Sequence, residues 1–455
     1  MTDNGTSAVE AGDSTNGRED VASVSDGARI SAAPWVSTLL GGLTESAPQA
    51  IDALAKRYRA QGRPVIAFGA GEPDFDTPPH VVDAVHEALG DPATYHYTPP
   101  AGLPALRQAV AEEVTRYAGV HIDPSEVVVS NGGKQAIYNA LSAVLDPGDE
   151  AIIPAPYWTS YPEQVTLAGG VPVAVPTTPE SEYKVSVEQL EAVRTDRTRL
   201  LIMTSPSNPT GSVYTEQELR EIAEWARSAD LWVLTDEMYR HFVYDGAVFA
   251  SIAPFMPRGR LLMVGGLAKS HVLTGWRLGW VVSTPLIAKA VTSFQSHTTG
   301  NVSNVAQHAA LAALAGGDEF PETMRRVFER RRRLALEALE RTPGFSVTRP
   351  KGAFYFFVDA REALQGALVF EGEQVRTSMR LSTMLLERVD VAVVPGEAFG
   401  APGFLRFSYA LDDAQLAEGL ERIRALLEAE LRDQPRRCAE QTADRQCASA
   451  ETGER

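Results

Sequence analysis

The sequence predicts an α/β fold: a large domain on a mainly parallel sheet with helices on both faces, joined to a smaller α+β domain. Three observations carry this. Continuous apolar runs of strand length alternate with helical stretches, the pattern of strands covered on both faces. The length of 455 residues exceeds what one core usually serves. The last third changes character, with shorter strand-like runs and a closing amphipathic helix.

Residues 1–30 are rich in Ser, Gly, Asp and Asn, lack periodicity, and are expected to be disordered. Residues 433–455 read the same way, since neither tail can bury enough apolar surface to offset the entropy of ordering. Between the tails, Glu126–Ser130 is a buried strand that runs into Asn131-Gly132-Gly133 and a helix over Lys134–Leu141. Arg199–Thr204 is a second buried strand. The helical pattern of Glu216–Ala229 precedes a third, Leu231–Thr235, and Leu261–Val264 is a fourth, closed by Lys269. These elements predict a large domain over 76–329. A charged helix over Arg325–Leu339, strands at Ala353–Val358 and Val391–Val394, an alternating half-buried strand at Phe404–Ser408 and a helix over Ala414–Leu431 predict a smaller α+β domain over 330–432, to which 31–75 is assigned.

Bulk properties narrow the function. A formal net charge of −17 argues against nucleic acid or an anionic membrane surface as partner. No apolar run approaches the ~18–20 residues of a membrane helix, and the first residues lack a basic region and an apolar stretch, so a cytoplasmic address is expected. The two cysteines, Cys438 and Cys447, stand in the polar tail, so the folded body is expected to hold no disulfide and no thiolate metal site.

The chemistry-bearing residues follow strand-like runs, where open parallel sheets bind ligands. Lys269 stands in Gly265-Gly266-Leu267-Ala268-Lys269-Ser270, with Arg277 eight residues on. Burial and a neighbouring cation would lower its pKa and make it a Schiff-base nucleophile. Asp236, in Thr235-Asp236-Glu237-Met238-Tyr239, is a buried carboxylate, with Glu237 as the rival. Gly132, Gly133 and Lys134 stand at a strand-to-helix turn, where bared N–H groups and the helix dipole favour an anion. Singly, each has a plainer reading: Asp236 as a helix cap, Tyr239 as core, Asn208-Pro209-Thr210-Gly211 as a turn. Together and in order, they require several coincidences to mean nothing.

The segments Gly69-Ala70-Gly71-Glu72-Pro73-Asp74-Phe75, Tyr97 to Leu103, Asn131 to Gln135, Pro156-Tyr157-Trp158, Ser205 to Gly211, Thr235 to Tyr239, Ala268-Lys269, Gly275-Trp276-Arg277 and Leu405 to Tyr409 resemble the class I and II aminotransferases. These are fold-type I enzymes that use pyridoxal phosphate (PLP). The likeness is greatest to the bacterial aspartate and prephenate aminotransferase group and spans roughly Glu45 to Leu431. It implies ping-pong transfer of an amino group between an L-amino acid and a 2-oxo acid such as 2-oxoglutarate. By it, Lys269 bonds the cofactor aldehyde and moves protons, Asp236 pairs the pyridinium, and Asn208 and Tyr239 hold the ring oxygen. Trp158 packs on the ring face, while Arg277 with Gly132, Gly133 and Lys134 holds the phosphate. Tyr97 reaches the phosphate of a second subunit, implying a homodimer with shared sites. Arg406 grips the substrate α-carboxylate, and the backbone at Gly71 closes over it.

Lys134, which in the resembling group meets a distal carboxylate, favours aspartate or glutamate. Three departures count against this: Pro48 where the group has threonine, Gly265 where it has asparagine, and Ser270-His271 in place of a small residue and an aromatic. They leave open a larger or non-proteinogenic amino acid, with His271 either a new polar wall or a packed histidine, or a Cβ lyase. A non-catalytic regulatory module would need a DNA-binding domain ahead of it, for which residues 1–30 are too short and too polar.

Overall fold

Strand alternation splits one continuous apolar run between two cores, and this explains the sheet. In the computed structural model, which describes residues 36–43, 45–365 and 368–432, seven strands form the large sheet. They are β1 (Val127–Ser130), β2 (Glu150–Ala155), β3 (Val171–Pro176), β4 (Thr198–Thr204), β5 (Trp232–Asp236), β6 (Leu261–Gly266) and β7 (Gly279–Val282). Their spatial order is β1-β7-β6-β5-β4-β2-β3. Val127 and Val129, Leu201 and Met203, Leu261 and Met263 enter one core, beneath the helices Pro104–Ala118, Glu216–Ser228 and Asn304–Ala315. Val128, Leu200 and Ile202, Leu262 and Val264 enter the other, beneath Gly132–Val144 and Pro285–Thr298. Each such side chain contributes about 1.5–3 kcal/mol on burial, so both faces must be apolar. The mainly parallel α/β sheet is as expected, and β7 alone among the seven strands runs antiparallel, to β1 and β6.

The later elements form a four-stranded antiparallel sheet in the order Val394–Pro395, Phe404–Ser408, Tyr355–Asp359, Ser346–Val347. Ile66–Ala67, from early in the chain, pairs in parallel with Val391–Ala392. Three expectations need correcting. The run Val391–Val394 is two short strands, because the chain changes partners at Val393. The strand expected from Ala353 begins at Tyr355, because Ala353 has φ +56°. Phe404–Ser408 is buried throughout, Arg406 included, so its alternation marks two buried faces, one of them polar.

The described residues divide into two units, 36–43 with Glu45 in the first and 46–365 with 368–432 in the second. Of the first, the helix Thr38–Gly41 is described, capped by the Ser37 side chain. Among the described residues no helix is long and apolar enough to cross a membrane. The tails read as disordered, with Cys438 and Cys447, lie outside the described residues.

Candidate active site

Register sets the site. Thr204, Asp236 and Val264 are paired across β4, β5 and β6, so these strands end at one level and the following loops open on one cleft. The cleft has a volume of about 510 Å³ and is lined by Lys269, Asp236, Tyr239, Asn208, Arg277 and Arg406, with Gly71, Gly133, Lys134 and Trp158 around them. Asp236 is the last residue of β5, and Lys269 lies in the loop after β6 rather than closing the strand.

Lys269 Nζ donates to the Gly71 carbonyl at 2.5 Å. Burial lowers its pKa to about 8, helped by Arg277 and Arg406 and opposed by Glu72 and Asp236. The amine is therefore available near neutrality. Burial pushes the Asp236 carboxyl up, against the Met238 N–H, the Tyr161 hydroxyl and Lys269. Oδ1 accepts from Met238 N at 3.0 Å and Oδ2 from Tyr161 at 2.9 Å. Its rival Glu237 turns the other way, accepts from Ser251 at 2.6 Å and is raised to about 7 by burial.

Arg406 donates to Asn208 Oδ1 at 3.1 Å and to the Gly69 carbonyl at 2.7 Å. Its guanidinium carbon lies 4.6 Å from the Tyr355 ring centroid and 5.2 Å from that of Phe399. Nε is buried and has no hydrogen-bond partner among the described residues. A fully buried cation that is fixed in place but not paired with a carboxylate is set to bind an anion.

At the end of β1, Gly132 takes φ +80° and opens the helix Gly132–Val144. A Cβ there would come within 2.6 Å of Arg277 Nη2, so glycine lets the guanidinium reach the helix N-terminus. Lys134 stands 5.4 Å from the Trp158 ring centroid, and burial followed by Arg277 lowers its pKa. Tyr97 is not among the lining residues and is 97% exposed.

The three departures separate. Pro48 lines the cleft, beside Ser46 and Gln49. Gly265 does not, and a Cβ on it would sit 2.7 Å from Trp280 Nε1, so packing accounts for the glycine. His271 also lies outside the lining, 3% exposed and bonded through Nδ1 to Ser270 at 2.9 Å; it is a packed histidine and not a polar wall.

Two lining tyrosines are among the residues that escaped sequence reasoning. Tyr161 follows Trp158 by three positions, the spacing that puts two side chains on one face of a helical turn. Tyr355, whose hydroxyl lies 2.8 Å from that of Tyr239, is two residues before Phe357, the partner of Arg406 in register. Among the described residues, Glu113, His241 and Asp318 form one trio of possible metal ligands, but Arg116 pairs with both carboxylates and Arg240 with Glu113.

The family model described as aminotransferase class I and II matches residues 63–423. An aspartate aminotransferase of Streptomyces avermitilis is 50% identical over 394 residues, 86% of this chain and 96% of the relative. A probable aspartate/prephenate aminotransferase of Aquifex aeolicus is 44% identical over 83% of this chain and 95% of its own length. Among solved structures, the Thermus thermophilus aspartate aminotransferase with maleate superposes with a TM-score of 0.80 at 40% identity, covering 86% of this chain and 99% of the other. The Rhizobium meliloti aspartate aminotransferase gives 0.82 at 39%, covering 86% and 98%. The chain belongs to the class I and II aminotransferases of fold-type I, enzymes that move an amino group between amino acids and 2-oxo acids.

Proposed function

We propose that this enzyme transaminates an acidic L-amino acid, aspartate or glutamate, against a 2-oxo acid such as 2-oxoglutarate or oxaloacetate, with PLP as cofactor. The observation that carries the reading is the meeting of Lys269, Asp236 and Arg406 in one cleft: a deprotonable amine, a buried carboxylate and an unpaired guanidinium. The residues fit PLP. Gly132 and Arg277 make an anion cradle that a Cβ would fill, and Asp236 is a buried acceptor suited to a protonated ring nitrogen. When bound, PLP supplies an electron-withdrawing ring conjugated to the substrate nitrogen.

The protein's own groups do the rest. With the cofactor bound, Lys269 Nζ would take the proton from the substrate α-carbon and deliver it to a different atom on the same face. Its pKa of about 8 suits both directions near neutrality. Asp236 would hold a negative charge for the ring nitrogen. Asn208 and Tyr239 would donate to the ring oxygen, while Tyr355 and Asn208 hold Tyr239 and Arg406 in place. Trp158 would cover the ring face and exclude water. Arg406 grips the α-carboxylate with paired N–H donors, a geometry that lysine lacks. Gly71, whose carbonyl holds Lys269, closes over the same carboxylate.

Lys134 supports the acidic substrate, since its half-buried ammonium gains most from a distal carboxylate. Pro48 in the wall favours a second reading, the same chemistry on a larger or non-proteinogenic side chain, because it removes a hydroxyl from that end. The exposed Tyr97 supports a homodimer in which it completes the partner's phosphate site. The early strand pairing with a late one supports a small domain from 31–75 and 330–432 around a large domain of 76–329. We place the enzyme in the cytoplasm.

The test is a panel of amino acids offered to the PLP-loaded enzyme, with loss of the coloured form followed by absorbance. Aspartate or glutamate should react fastest, yielding one keto acid per amino group passed to 2-oxoglutarate. Ammonia release without transfer would mark a lyase. Borohydride reduction followed by peptide mass spectrometry should find the cofactor on Lys269; a colourless protein without that adduct would end the reading.

A further inference from the structure

The sequence reading provides a carboxylate for the cofactor ring and a tryptophan for its face, but nothing that ties the two together. Tyr161 does so. It is the second residue of the helix Ser160–Leu167 and is 2% exposed. Its hydroxyl donates to Asp236 Oδ2 at 2.9 Å. Its ring meets the edge of Trp158 with centroids 5.3 Å apart and planes at 86°.

We infer that Tyr161 is a positioning residue that keeps the Asp236 carboxylate charged and aimed into the cleft while bracing the Trp158 ring. The inference rests on the PLP reading above. The geometry supports it in three ways. Asp236 has a backbone donor on Oδ1 and a phenol on Oδ2, so its rotation is fixed from both sides. Each carboxylate oxygen accepts up to two hydrogen bonds, so acceptor capacity is left for a ring N–H in the cleft that Asp236 lines. Finally, Asp236 is buried and no arginine among the described residues is bonded to it. The phenol therefore supplies stabilisation that such a carboxylate usually takes from a cation. Burial also drives the phenol's own pKa well above its ordinary value, so it remains a donor at any working pH.

The consequence is a pH effect with a definite sign. Without the phenol, Asp236 takes up a proton at higher pH, and a protonated Asp236 no longer pairs with a pyridinium. Cofactor retention should then fail earlier as the solution is acidified.

The experiment compares wild type, Tyr161→Phe and Tyr161→His by equilibrium dialysis of PLP against pH, with far-UV circular dichroism to verify folding. Phenylalanine keeps the ring against Trp158 and removes the donor. It should raise the PLP dissociation constant about ten- to a hundred-fold, the worth of a hydrogen bond to a charged group, and move the acid limb of retention to higher pH. Histidine, a buried ring with an N–H, should recover most of the loss. A Phe variant within twofold of wild type, with an unmoved acid limb, overturns the inference. So does equal loss in both variants without a pH shift, which would make Tyr161 packing alone. If the Phe variant does not fold, the His variant decides: near-wild-type retention supports the role, and large loss overturns it. Failure of the wild type itself to bind PLP would instead strike the functional reading.

Discussion

The floor of the cleft and its outer wall are built on different terms. Floor groups sit at and just beyond the ends of β4, β5 and β6, with Arg406 reaching in from the strand Phe404–Ser408, and each is held by at least one protein partner. Asp236 is bonded from two sides, Arg406 by Asn208 and Gly69, and Tyr239 by Tyr355. The wall at Ser46, Pro48, Gln49 and Asp52 belongs to the first turns of the helix Ala47–Ala60 and is half-buried or exposed. Asp52 there is paired to Lys56, and Ser46 makes no capping bond. A floor whose members fix one another tolerates little change, whereas a wall of loosely held groups can be altered without disturbing the chemistry. On the proposed function, the floor would set the reaction and the wall the side-chain preference.

That contrast can be broken most directly at Lys269. Lys269→Ala should remove the visible band of the loaded enzyme and lower turnover by about 10⁴-fold; stopped-flow half-reactions would detect it, and full turnover would remove Lys269 from the floor. Next is Arg406→Lys, which keeps the charge and loses the paired geometry. It should weaken every amino-acid substrate by about ten- to a hundred-fold in kcat/KM, whatever the side chain; a loss confined to acidic substrates would move Arg406 to the wall's side of the division. Lys134→Ser should cost aspartate about tenfold and alanine little, as expected for one half-buried ion pair, and equal losses would show that Lys134 serves the cofactor alone. The smallest effects come from the departures. Pro48→Thr should raise the preference for aspartate over alanine by a few-fold, on the order of one exposed hydrogen bond. Gly265→Asn should leave that ratio unchanged and destabilise the fold by about 1–3 kcal/mol through crowding against Trp280, visible as a lower Tm.

How legible each part was in the sequence follows from where its determinants lie. Strands buried on both faces read as unbroken apolar runs, so β1, β4, β5 and β6 and the residues after them could be found. The reversal of β7 could not, because Gly279–Val282 is as apolar as its parallel neighbours and direction leaves no mark on composition. Arg406 was legible as a charge inside an apolar strand, although its alternation suggested exposure, which its aromatic neighbours prevent. Tyr161 and Tyr355 were missed because a tyrosine in a core looks the same whether or not its hydroxyl has a task. Of the three departures, sequence alone weighted all alike; only the distance from Gly265 to Trp280 and the packing of His271 leave Pro48 as the one that touches the cleft.

The antiparallel run of β7 has a further effect. Because that strand returns, its beginning rather than its end faces the cleft, and the short connection from Leu267 to Leu278 carries both Lys269 and Arg277. The proposed nucleophile and the proposed phosphate anchor thus ride on a single yoke clamped at each end by the sheet. Lengthening that yoke would drag both grips out of step with Asp236, so chain-length variation in this enzyme belongs anywhere but between those two strands.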